Sequence, residues 1–368
     1  MLIPGFATPE GTARFRDRFA LRLPGHYRES QGRWLSSIGL GTYLGEPTAQ
    51  YDALYREAIV QACELGTNVL DTAVNYRHMR SERAIAQALA ELIASGRLAR
   101  DQVFVATKGG FFSYDGEPPS DARAYFEERL IRTGLIEAKD VGAGCHAISP
   151  RYLANQIEVS RRNLGLETID LYYIHNPETQ LRDVAREEFT RRLGAAFEAL
   201  EAAVAAGKIR MYGLATWNAF RVLPESPDAV SLERALELAE RAGGKEQHFR
   251  AVQLPFNLAM LEAWGANTQT LDGRKVPLLE AARARGLMVF ASASLLQNRL
   301  AGGLPEPLAE RFPGLQTDAQ RALQFVRSTP GITSALVGMS RAAHVIENLA
   351  TAAVPPLTPE ELQAVFED

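Results

Sequence analysis

From about residue 36 onward the chain alternates short apolar runs with longer stretches of helical period. The apolar runs fall at 36–42, 68–73, 103–108, 169–175, 210–216, 251–257, 287–292 and 335–339. Most are continuous β-branched or aromatic runs without polar alternation, the pattern of parallel strands covered on both faces. Between them, 51–65, 81–95, 150–164, 189–206, 228–242 and 276–285 predict helices. Each stops at a glycine (Gly66, Gly96, Gly165, Gly207, Gly243 and Gly286), the residue best suited to the left-handed turn that closes a helix. Ser81 and Asp228 are the expected N-caps.

Eight strand–helix units in one series predict an α/β fold closed as a (β/α)8 TIM barrel, a single domain over 1–368. An open doubly wound sheet would want G-x-G-x-x-G after its first strand, and residues 39–45 read GLGTYLG instead. Two segments exceed the repeat: an N-terminal extension, 1–35, and an insertion, 111–149, after the third strand. The insertion leaves a strand end, so it is expected over the catalytic mouth, where long connections often serve function.

Composition narrows the class without naming a chemistry. Hydrophobic residues make up 46% and charged residues 23%, and mean hydropathy is −0.14, enough for a large core and unlike a disordered chain. A net charge of −4 gives no general attraction to nucleic acid or an anionic membrane. Cys63 and Cys145 are too few for a disulfide framework, and no spacing links them to histidine as metal ligands. The N-terminal residues lack the pattern of a signal peptide and no apolar run is long enough to span a bilayer, so the expected location is cytoplasmic.

Lysine is scarce: only Lys108, Lys139, Lys208, Lys245 and Lys275. That makes a lysine at a strand end conspicuous, because a (β/α)8 barrel gathers its chemistry where strands end. Asp71 closes the second strand in NVLDTAVNYR, with Tyr76 five residues on. Lys108 closes the third in VFVATKGG, and His175 the fourth in DLYYIHNPE. Neighbouring strands are roughly 5 Å apart, so the four can converge. A phenol of pKa about 10 is a weak acid near neutrality, and a nearby ammonium is expected to lower that value. The carboxylate would hold the lysine charged, and the imidazole would hydrogen-bond a substrate oxygen. Singly, each residue is more ordinary: a turn former, an ion-pair partner or a loop aromatic.

Over about residues 26–350 the chain resembles the aldo-keto reductases, in SSIGLGTY, NVLDTAVNYRHMRSE, VFVATKGG, DLYYIHNP, KIRMYGLATWN, AVQLPFN and GMSRAAHVIENL. The resemblance implies that Asp71, Tyr76, Lys108 and His175 are catalytic and that NADPH lies extended across the barrel mouth. It implies cofactor contacts from Gly41, Thr42 and Asp71, and from Ala215, Thr216 and Gln253. Further contacts would come from Ser292 and Leu295, from Gly338, Ser340 and Arg341, and from Glu347 and Asn348. Arg341 suits a 2′-phosphate on physical grounds, as a planar donor fork beside a helix start. The chain departs from the family in having Ala215–Thr216 for Ser-Asn, Ser292 where many members place an aromatic, and no lysine in the phosphate loop. The implied activity is NADP(H)-dependent interconversion of an aldehyde, ketone or sugar carbonyl with its alcohol, and no metal is expected. Tyr43, Phe111 and His175 would meet the substrate, with Phe112, Tyr114 and Trp217 as further aromatic wall. The alternatives are an NADPH-binding regulatory subunit of partners such as potassium channels, and a barrel lyase or isomerase.

Overall fold

The computed structural model describes residues 2–366. Eight parallel strands close a barrel: β1 Ile38–Gly41, β2 Val69–Asp71, β3 Phe104–Gly109, β4 Ile169–His175, β5 Ile209–Ala215, β6 Phe249–Pro255, β7 Met288–Ser292 and β8 Ser334–Gly338. β8 returns to β1 with Gly338 opposite Gly41. One helix follows each strand: α2 Ala49–Glu64, α3 Arg80–Ala94, α4 Pro150–Leu164, α5 Arg186–Ala205, α6 Leu232–Gly243, α7 Leu278–Ala284, α8 Asp318–Ser328 and α9 Ala342–Ala350. The expected α/β barrel is therefore the observed one.

Two apolar cores account for the buried strands. The larger packs their outer faces against the helices. The smaller fills the barrel itself, from Val69 and Phe104 up to Ala215, and includes Ala7 and Leu35 from the N-terminal extension. That extension is ordered. It forms α1 (Pro9–Asp17) and a hairpin of Tyr27–Ser30 with Arg33–Ser36, and so plugs the barrel end opposite the strand C-termini. Asp170 anchors it: Oδ1 accepts from Ala7 N at 2.6 Å, and Oδ2 accepts from Arg100 Nη2 at 2.7 Å and Val105 N at 2.8 Å.

Some local expectations need correction. Ser81 lies inside α3, whose N-cap is Met79, and its hydroxyl donates to Thr42 O at 2.7 Å. Ser231, not Asp228, caps α6, accepting from Arg234 N, while Asp228 accepts from Asn218 Nδ2. Val276 is the last residue of a hairpin strand (Arg274–Val276), so α7 starts at Leu278. Gly243 still belongs to α6, and the left-handed residue is Gly244 at φ 68°.

Candidate active site

The register of the barrel brings the strand ends to one mouth. Asp71 lies opposite both Gly41 and Ala106, Lys108 opposite Tyr173, and His175 opposite Ala215. Lys108 is fully buried. Its Nζ donates to Asp71 Oδ2 at 2.6 Å and to Thr72 O at 2.8 Å. The other oxygen of Asp71 accepts from Gln253 Nε2 at 2.7 Å, so one carboxylate orients a lysine and an amide together. Tyr76 sits in the turn after β2, its ring 5.0 Å from Lys108 Nζ. It packs edge-on against Tyr43 at 5.0 Å and His175 at 5.7 Å. The four residues singled out by strand position thus form one cluster.

Burial governs their ionisation. The Tyr76 hydroxyl is pushed well above the ordinary phenol value, first by desolvation and then by the charge of Asp71 and by Tyr43. The expected net depression is not found: desolvation of the phenol dominates and the shift is upward. Desolvation also lowers Lys108, opposed by Asp71 and more distantly by Glu82. His175 lies well below the usual imidazole range, through burial and then the lysine charge, and is neutral. Its Nδ1 is buried without a hydrogen-bond partner.

A cavity of about 380 Å³ opens over this cluster. Of the expected residues, Gly41, Thr42, Asp71, Ala215, Thr216, Gln253, Ser292, Leu295 and Gly338 line it, as do Tyr43, Tyr76, Phe111 and His175. Lys108 lies beneath its wall. Ser340, Arg341, Glu347 and Asn348 lie outside it, along the start and body of α9, where Arg341 is the exposed N-cap residue. Trp217 lines the cavity, 41% exposed at its rim. Phe112 and Tyr114 do not: they pack on Phe126, with Phe112 also against Tyr152.

The insertion follows the same division. Phe111 alone of residues 111–149 lines the cavity. The remainder builds a separate apolar cluster on Tyr152 of α4, and Arg192 of α5 holds its Lys139 and Asp140 carbonyls. Beyond its base the insertion packs largely on itself, Tyr114 against Tyr125 and Phe126, and it meets His78 through Tyr114 and α4 through Phe112.

Sequence reasoning missed several residues here. His146, fully buried at the end of the insertion, donates from Nε2 to His175 O at 2.7 Å while its Nδ1 accepts from Gln180. Burial lowers it to about 4, so it is a neutral brace behind His175. No spacing in the chain signals that contact, which exists only once the insertion folds back. Asn75, Asn176, Gln297 and Asn298 also line the cavity. Asn176 is left-handed at φ 45°, a conformation asparagine tolerates, and its position beside His175 was a usable signal.

Fold and mouth together define a (β/α)8 barrel with a buried cluster of titratable side chains at the strand C-termini. The model of the Aldo/keto reductase family matches residues 37–237, and the chain belongs to that family. It is 24% identical to a putative voltage-gated potassium channel subunit beta of Schizosaccharomyces pombe, over 94% of this chain and 93% of that one. It is 23% identical to an uncharacterised oxidoreductase of Bacillus subtilis, with 90% and 92% coverage. Among solved structures it resembles an aldo/keto reductase from Klebsiella pneumoniae in complex with NADP and acetate. There the TM-score is 0.58 at 22% identity, over 93% of this chain and 94% of that one. Among the described residues no helix is long and apolar enough to cross a membrane. Nor, among them, does any group of three His, Cys, Asp or Glu come together as metal ligands.

Proposed function

We propose that the protein is an NADP(H)-dependent oxidoreductase that interconverts a neutral carbonyl compound and its alcohol. The observation that carries this is the Asp71–Lys108 pair under Tyr76, in the wall of a cavity that Tyr76 and His175 both line. The cavity residues also suit the cofactor. Thr216 and Gln253 offer a hydroxyl and an amide oxygen side by side for a carboxamide. Leu296, Gln297 and Asn298 are successive left-handed residues, and the turn brings Gln297 and Asn298 into the cavity lining. Arg341 at the start of α9 suits a 2′-phosphate.

When bound, NADPH supplies the hydride. The protein supplies the proton and its control. Tyr76 stays protonated in its buried setting and is therefore a donor to a carbonyl oxygen. As that oxygen takes the proton, Lys108 is the nearby positive charge able to stabilise the phenolate, and Asp71 keeps the lysine in place. Neutral His175 donates a hydrogen bond to the same oxygen and aligns the substrate. Of the residues lining the cavity, Asp71 alone carries a carboxylate and none is a lysine or arginine. An uncharged aldehyde or ketone therefore fits better than a carboxylated or phosphorylated one.

The test is NADPH oxidation measured with a panel of neutral and charged aldehydes, beside Tyr76→Phe. Turnover should fall by a factor of about a hundred or more in the variant, the scale of a lost general acid, with NADPH binding retained. Near wild-type turnover by Tyr76→Phe would sink the mechanism. A second reading, a cofactor-binding regulatory subunit, draws on the full-length likeness to the Schizosaccharomyces pombe protein named as a channel subunit. It predicts NADPH binding without steady turnover of any aldehyde.

A further inference from the structure

The turn that carries Tyr76 has a backbone its own residues do not favour. Arg77, His78 and Met79 have φ of 48°, 56° and 69°. Residues with a Cβ enter the left-handed region rarely, because the Cβ crowds the following carbonyl. Three in succession, none a glycine, need surrounding structure to hold them. The run begins directly after Tyr76 and ends where α3 starts at Arg80, so its geometry sets the path of the chain around the phenol.

The groups that hold the run converge on Asp52, in the first turn of α2. The Arg77 side chain is only 1% exposed. Its Nε donates to Glu46 O at 3.0 Å, and its Nη2 donates to Thr48 O and to Asp52 Oδ1. Arg80 closes the other end: Nη1 donates to Asp52 Oδ2 at 2.6 Å and Nε to Gly116 O at 3.0 Å. Two oxygens of one carboxylate thus grip the two arginines at the ends of the strained segment. The same clamp reaches the cavity rim from the other side. Arg77 lies over the Tyr55 ring at 5.2 Å, and the Tyr55 hydroxyl donates to Leu44 O at 2.7 Å, next to Tyr43, which packs on Tyr76.

We propose that Asp52 is a positioning residue for Tyr76: by bridging Arg77 and Arg80 it holds residues 77–79 left-handed and so fixes the phenol in the cavity wall. This rests on the assignment of Tyr76 as proton donor. Asp52 does not line the cavity and acts only through the two arginines.

Asp52→Asn keeps the shape but removes the charge from both arms of the clamp. We expect kcat to fall about tenfold, within the range that an ångström of misplacement costs. The Kd for NADPH, read by quenching of tryptophan fluorescence, and the KM for an aldehyde should change by less than about twofold, since Asp52 contacts neither site. Adding His78→Gly and Met79→Gly to Asp52→Asn removes the Cβ crowding that the clamp opposes and should restore most of kcat. A merely structural loss would not recover in that way. If Asp52→Asn does not fold, Arg80→Gln, which breaks only the less buried arm, should show the same split at smaller size. Wild-type kcat in Asp52→Asn or in Arg80→Gln overturns the proposal. So does a joint fall of kcat, NADPH binding and thermal midpoint that the glycines leave unrepaired. Tyr76→Phe run in parallel separates the two claims. If it is inactive while Asp52→Asn turns over normally, only the positioning role falls; if it is fully active, the proton-donor assignment falls and the proposal with it.

Discussion

Arg341 stands exposed at the N-cap of α9, in no ion pair found among the described residues. The 2′-phosphate is the only group that distinguishes NADPH from NADH, and a guanidinium can meet it with two parallel hydrogen bonds. Arg341→Ala should therefore weaken NADPH binding by about 1.5–3 kcal/mol and leave NADH nearly unchanged. Titration of each cofactor against both proteins measures this, and equal losses would move the phosphate site elsewhere, with Arg299 the next candidate. Single residues were legible where an apolar run announced the end of a strand, as for Asp71, Lys108 and His175. Tyr76 followed from its distance to Asp71. His146 was hidden because its contact depends on a chain reversal about thirty residues long. The ionisation of Tyr76 was misjudged for a different reason. Sequence names a neighbouring lysine but not how dry the site is, and desolvation is the larger influence.

At the level of elements, runs buried on both faces gave strand positions within a residue or two, and 169–175 coincides with β4. Helix starts were less legible. Ser81 and Asp228 are both good capping types, yet Ser231 and a left-handed Met79 precede the helices, because the loops before them are shaped by the mouth. α8 carries a capping box of Thr317 with Gln320, a local signal that the uneven stretch after β7 obscured. The N-terminal hairpin has strands of four residues each, too short for alternation to stand out. Its tether, however, is strong. Asp170, fully buried, neutralises Arg100 and also accepts from the backbone of the extension and of β3. Asp170→Asn leaves a buried guanidinium without its counter-charge, which typically costs about 3–5 kcal/mol. Urea unfolding should show that loss, and a midpoint equal to wild type would mean that the plug contributes nothing to global stability.

Across the whole molecule, the extension and the C-terminal third are locked together around buried bases. His26 is fully buried, with Nε2 donating to Gly66 O and Nδ1 facing the Ser37 hydroxyl. Desolvation, then the charges of Arg327 and Arg28, lower it from 6.5 to about 3. Its folded value is depressed, so below pH 6.5 the unfolded chain takes up a proton here that the native protein refuses. This contribution to stability is complete above that pH and declines toward pH 3, by at most about 1.4 kcal/mol per unit. His26→Gln retains hydrogen-bonding groups without titrating, and should flatten the fall in urea midpoint between pH 6.5 and 4.5 by about one proton's worth. An unchanged slope would place the acid sensitivity in other groups.

The closure of β8 onto β1 also has a consequence for synthesis. Ala335 pairs with Ile38, so 335 − 38 = 297 residues separate the two sides of that seam. A ribosome adding about 5–20 residues per second needs roughly 15–60 s to deliver the second side after the first. Throughout that interval β1 presents a bare edge, an open template for pairing with other nascent chains. The ring closes only after β8 has been made, so this seam is the last part of the barrel to form during synthesis.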